Sequence, residues 1–142
     1  MITFFAEDVA MPKMKRNKLK KWVKLVAQNH GYKLGDINYI FCSDNYILDV
    51  NRQYLQHDYF TDIITFDYTE NKTVSGDLFI SLDTVLTNSQ QFASSDYETE
   101  FHRVFIHGIL HLCGINDKGP GEREIMEAHE NEALKLLATM PD

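Results

Sequence analysis

The sequence predicts an α/β fold, a mixed sheet of about four strands with helices packed around it. Three observations carry this. The chain has 142 residues, 44% of them hydrophobic and 25% charged, the size and composition of one soluble domain able to bury its own core. Apolar residues alternate between a period of two and helical spacing along the chain. Neither a repeat, a linker nor a low-complexity tract divides it, so residues 1–142 are expected to form a single domain.

The elements follow in order. The opening ITFFA reads as a first strand. Leu19, Trp22, Val23 and Val26 then recur at helical spacing among basic residues, and Gly31 supplies the stop. Residues 36–43 are rich in β-formers, and Asp44 is the expected N-cap of a helical stretch to about Leu55. Residues 62–68 and 76–82 read as strands on either side of a polar turn, TENKTVS. Asp83 is the expected cap of a short helix through Phe92. A further helix starts within SSDYETE and meets no breaker before Gly114, and a last one fits residues 121–138. The helix ending at Gly114 is expected to lie against the sheet.

Charge and composition narrow the function classes. No apolar run approaches the roughly 18 residues of a membrane span. The apolar start lacks a basic flank and runs into Glu7 and Asp8, unlike a secretion signal. Two cysteines, Cys42 and Cys113, make no stapling framework and read as reduced thiols of a cytoplasmic protein. The net charge of −7 hides an asymmetry: residues 1–33 hold eight Lys or Arg against two acids, the remainder six against nineteen. Lys13, Lys15, Arg16, Lys18, Lys20, Lys21, Lys24 and Lys33 form either a phosphate-binding face or a solvated helix surface.

The chemistry concentrates in HGILHLCGIND. His107 and His111 are four apart on a predicted helix, so their side chains share one face with Cβ atoms about 5–6 Å apart. Gly114 can take the left-handed conformation that ends the helix, and Asp117 returns a carboxylate three residues later. The pattern HxxxHxxGxxD has the metzincin spacing, with Asp in place of the third His and Gly108 where the protease has its catalytic Glu. Three protein ligands, His107, His111 and Asp117, leave a position for water, as catalytic zinc sites do. Cys113 lies off the two-histidine face and reads as a small core residue. His102 also lies off that face, and His30, His57 and His129 have no partner at ligand spacing.

HGILHLCGIND resembles the signature HGxLHLxGxDH of the YbeY family, bacterial endoribonucleases specific for single strands. NRQYLQHDYFTDIITF (51–66) resembles the family's NxxYRxxDxPTDVLSF, and SGDLFIS (75–81) its GDIxIS strand, so the likeness spans nearly the whole chain. The resemblance implies a Zn2+-dependent nuclease acting on single-stranded RNA. It further implies maturation of the 3′ end of 16S ribosomal RNA, ribosome quality control and association with the small ribosomal subunit. Asp117 stands where the family usually places its third metal-binding His. Leu55 replaces a family Arg implicated in activity, and Phe60 replaces its Pro. Arg52 and His57 are the candidates to supply the missing positive charge. Asp62 and Asp77 are candidates to orient a histidine from behind, or else cap loops at strand ends. Two competing readings remain: a zinc protease, against which Gly108 argues, and a ribosome-associated binding protein stabilised by its metal.

Overall fold

The computed structural model describes residues 1–57, 61–91 and 96–142. These form strands β1 (Ile2–Ala6), β2 (Lys33–Cys42), β3 (Ile63–Asp67) and β4 (Thr73–Ser81). The helices are α1 (Arg16–Asn29), α2 (Asp44–Leu55), α3 (Leu82–Gln91), α4 (Tyr97–Leu112) and α5 (Glu122–Thr139). The sheet order is β1-β2-β4-β3, with β1, β2 and β4 parallel and β3 antiparallel to β4 at the edge. This is the mixed four-stranded α/β sheet that the sequence predicts.

The period-two alternation of β2 and β4 sorts their side chains between two cores. Ile37, Tyr39 and Phe41 of β2, with Val74, Leu78 and Ile80 of β4, face the larger core, which they share with α1, α4 and α5. Cys42, Ile64 and Phe79 face the other way, onto Ile47 and Val50 of α2. The indole of Trp22 is fully buried in the larger core and donates to the Ala133 carbonyl at 2.8 Å, tying α1 to α5. Tyr39 stacks on Phe105 at 3.9 Å between centroids and donates its hydroxyl to the Phe105 carbonyl at 2.8 Å, fixing α4 on β2.

Caps and boundaries depart from the sequence reading in small ways. Ser43, not Asp44, caps α2, its hydroxyl accepting from the Tyr46 amide at 3.2 Å. Asp44 sits one residue inside and accepts from the hydroxyls of Ser81 and Thr84. Asp83 likewise lies inside α3 and accepts from the Asp44 amide at 3.0 Å, so each acid supports the start of the other's helix. The expected end of α3 at Phe92 and the serines at the expected start of α4 lie outside the described residues; Asp96 caps α4, accepting from the Thr99 amide at 2.7 Å. Strand β4 begins at Thr73, three residues earlier than expected, because Asn71 and Lys72 adopt positive φ and turn the chain at once.

Helix α4 lies unusually close to the sheet. A Cβ on Gly108 would come within 2.9 Å of Ile63 Cδ1 and 3.1 Å of the Leu78 methyls, and one on Gly76 would meet the Phe66 carbonyl at 2.5 Å and Leu112 at 3.2 Å. At Gly76 the obstacle is backbone and cannot swing away. Gly76→Ala is therefore expected to lower unfolding free energy by about 1–3 kcal/mol, read from denaturant unfolding, and a variant as stable as the parent would contradict this packing.

Candidate active site

The last two turns of α4 carry His107 and His111 on one face, and the helix ends in a Schellman turn. Gly114, at φ +88°, donates to the His111 carbonyl at 3.0 Å, and Ile115 donates to Leu110 at 3.1 Å. That reversal returns Asp117 toward the helix, placing its Oδ2 3.2 Å from His107 Nε2. His111 turns the other way at its base, its Nδ1 lying 3.2 Å from the Ile115 carbonyl.

Behind His107 stands a residue that sequence reasoning missed. Glu130 of α5 is buried and holds His107 Nδ1 at 2.6 Å, while Arg103 of α4 donates to its other oxygen at 3.1 Å and to Asn131 at 3.0 Å. A signal was available, since Glu130 falls in the buried stripe Met126, Glu130, Ala133, Leu137, and an acid at a core position requires a partner. Asp62, half-buried just before β3, faces the same imidazole; burial lifts its carboxyl above the ordinary range and His107 opposes that lift. For His107 itself burial disfavours the imidazolium, but Glu130, Asp62 and Asp117 outweigh it and raise its pKa.

Two clefts meet at His107 and Asp117. One, of about 220 Å³, runs along β3 and is lined by Asn51, Leu55, His57, Asp62, His111 and Lys118 as well. The other, of about 530 Å³, lies between α4 and α5 and includes Arg103 and Arg123. Of the two candidates for the missing positive charge, His57 lines the narrower cleft; Arg52 does not, and its guanidinium lies 3.9 Å from Asp49. Leu55, 41% exposed, faces that cleft, and Lys118 is a cation there that the motif reading passed over. Phe60 lies outside the described residues. Asp77 is placed elsewhere: it accepts from Asn38 at 2.9 Å across the β2 and β4 ladder.

The three predicted ligands thus gather in one place, with His107 and Asp117 in direct contact and His111 lining the same cleft. As the side chains stand, no group of three or more His, Cys, Asp or Glu among the described residues is closed tightly enough to hold an ion. The chemistry of the donors nonetheless fits one. A proton on Nδ1 of each imidazole, donated to Glu130 and to the Ile115 carbonyl, leaves both Nε2 atoms as ligands, the usual arrangement of metal-binding histidines. Cys113 does not belong to this set, being buried at the end of α4 with its thiol pushed up to about 11 by burial. A protease base is excluded sterically, because residue 108 faces the sheet with no room for a side chain.

A sheet with one antiparallel edge, and a helix that sets two histidines beside a cleft with one of them against a returning carboxylate, fit a hydrolase. Comparisons with known proteins specify which kind. The family model described as Endoribonuclease YbeY matches residues 2–138, and the chain belongs to that family. It is 65% identical over 136 residues to the endoribonuclease YbeY of Parabacteroides distasonis, covering 96% of this chain and 95% of that one. It is 64% identical to that of Phocaeicola vulgatus, covering 97% and 99%. The solution structure of a Thermotoga maritima protein superposes with a TM-score of 0.65 at 26% identity, covering 99% of this chain and 94% of the other. The protein is therefore an endoribonuclease of a metal-dependent family, which sets aside the protease and the non-enzymatic binding protein. No helix of the described residues is long and apolar enough to cross a membrane.

The raised pKa of His107 has a consequence for stability in chelated, metal-free protein. A folded-state pKa above the unfolded value contributes stability that is fully present below about pH 6.5 and is lost as pH rises through the folded value. Glu130→Gln removes the main opposing charge, so it should lower the His107 pKa, read by NMR titration, and flatten this pH dependence. A His107 titration unmoved by that substitution would contradict the assignment.

Proposed function

We propose that this endoribonuclease cuts single-stranded RNA with one divalent ion, Zn2+, held by His107, His111 and Asp117. Its place of action in this reading is the cytoplasm, on the ribosomal RNA of the small subunit, in maturation of the 16S 3′ end and in ribosome quality control. The observation that carries the reading is the His107 Nε2, fixed from behind by Glu130 and 3.2 Å from the Asp117 carboxylate, in a cleft that His111 also lines. Two ligand atoms of one tetrahedral ion with bonds of about 2.0–2.1 Å stand about 3.3 Å apart, close to this separation.

Such an ion supplies Lewis acidity toward a phosphodiester and lowers the pKa of water. The remaining work falls to the chain. Glu130 and Arg103 hold His107 in one tautomer and orientation. Asp62, whose carboxyl burial has already lifted, is the group in both clefts best suited to accept a proton from the attacking water on its carboxylate oxygen. Lys118 and His57 offer the positive charge that Leu55 does not, on the wall along which a bent single strand would lie.

The basic segment divides in its roles. Lys15 and Lys18 bond Asp142, and Arg16 and Lys20 lie over the Phe4 ring at 5.7 Å. Lys13, Lys21 and Lys24 stand exposed, which supports an RNA-backbone face along α1.

His107→Ala and His111→Ala should each abolish bound Zn2+ and RNA cleavage, and Asp117→Asn should weaken metal binding less. Leu55→Arg should raise cleavage by restoring a cation beside the phosphate, on the order of tenfold or more. Elemental analysis together with cleavage of a single-stranded oligoribonucleotide measures both effects. Metal content unchanged in both histidine variants would reject the ligand assignment.

Replacing Lys13, Lys21 and Lys24 by Gln should weaken RNA binding and reduce its salt slope by about 0.7 for each phosphate no longer neutralised. An unchanged slope in fluorescence anisotropy titrations would return α1 to a solvated surface.

A further inference from the structure

The two clefts that meet at His107 differ in charge. Both include Asp62 and Asp117. The narrow one along β3 adds His57, His111 and Lys118 and no further acid, so it suits the phosphates of a bound strand. The wide one between α4 and α5 adds Glu100, Glu127 and Glu130 against Arg103 and Arg123, and Arg103 is committed to Glu130 and Asn131. A phosphate backbone is repelled there, yet the cleft opens at the same histidine and its 530 Å³ is the volume of a small-molecule pocket. A neutral part of the substrate fits that space better than a charged one, and the neutral part of a nucleotide is its base.

The lining has the composition of a base pocket. Val104 and Met126, both buried, give it apolar walls. Asn88 of α3, Arg123 and Glu127 line it with side chains that have no hydrogen bond or ion pair among the described residues. Arg123, Glu127 and Glu130 are four and three residues apart, on one face of α5. Glu127 therefore stands about 4.5 Å along the helix from the carboxylate that holds His107, and Arg123 about 6 Å further. Both groups border the position of the nucleotide next to a phosphate at His107.

Donors and acceptors select among the bases. A carboxylate accepts two hydrogen bonds side by side, and guanine alone among the RNA bases offers adjacent N1–H and N2–H donors on its Watson–Crick edge. Its O6 and N7 acceptors suit a guanidinium. Adenine and cytosine set an acceptor beside their amino group, and uracil sets its single donor between two carbonyls, so each turns a lone pair toward the carboxylate. We infer that the cleft between α4 and α5 is a guanine-selective base pocket. Glu127 reads the Watson–Crick edge, Arg123 the O6 and N7 edge, and Asn88 adds an amide from α3. The inference rests on the proposed catalytic centre only for its second consequence, that the RNA is cut beside a guanosine.

Titration of guanosine and inosine monophosphates into 15N-labelled, full-length protein tests the pocket without cleavage. Guanosine monophosphate should shift the Asn88 side-chain amide and Arg123 Nε signals. It should bind about tenfold more tightly than inosine monophosphate, which lacks only the N2 amino group. Glu127→Gln should remove most of that difference, with folding checked by circular dichroism. Single-stranded oligoribonucleotides that differ at one position test the link to cleavage: the parent with Zn2+ should cut beside guanosine, and inosine there should lower kcat/KM about tenfold. If His107→Ala cuts as the parent does, the proposed centre fails while the nucleotide titration still decides the pocket. Signals that guanosine monophosphate does not move, a guanosine preference that persists in Glu127→Gln, or cuts indifferent to guanosine would overturn the proposal.

Discussion

Helix α4 can aim its histidines only because it lies so near the sheet, and two missing side chains allow that approach. Gly76 on β4 and Gly108 on α4 each leave a gap that a methyl group would fill, and Leu112, Ile63 and Leu78 occupy the space so released. The stacked rings of Tyr39 and Phe105 and the hydroxyl bond between them then fix how far α4 can rotate or slide. In a close-packed interior such contacts leave a helix one position rather than a range. His107 and His111 inherit that position, and so does the turn that returns Asp117.

Electrostatics refines what packing places. Arg103, Glu130, His107 and Asp117 form a continuous chain of polar contacts along the cleft, each within 3.2 Å of the next. Removing any member strands the next, which makes the array stiffer than its separate bonds suggest. The arrangement also keeps the outermost nitrogen of His107 toward the cleft. A residue on the following helix thus decides how a motif residue presents itself.

Much of this was readable in the sequence, and the rest fails for definable reasons. Strands β1 to β4 and the helices were marked by period and by Gly31 and Gly114, because those signals are local. The caps were missed by one residue at Asp44 and by two at Asp83, since a serine and a nearby aspartate both satisfy capping preference and only tertiary partners decide between them. His107, His111 and Asp117 could be grouped from the sequence because helix geometry and one glycine turn lie within eleven residues. Glu130 and Lys118 depend on how α5 and its approach loop cross the rest, which no local spacing encodes.

The position of Glu130 along the chain also bears on how the enzyme is made. The sheet order sets β4 between β2 and β3, so the edge strand has no neighbour to pair with until the chain beyond it has emerged. The carboxylate that steadies His107 comes later still, on the last helix. A nascent chain that has completed the histidine motif still lacks the group that holds it in register. A chain cut short before Glu130 would keep the histidine motif and lose the carboxylate that holds it.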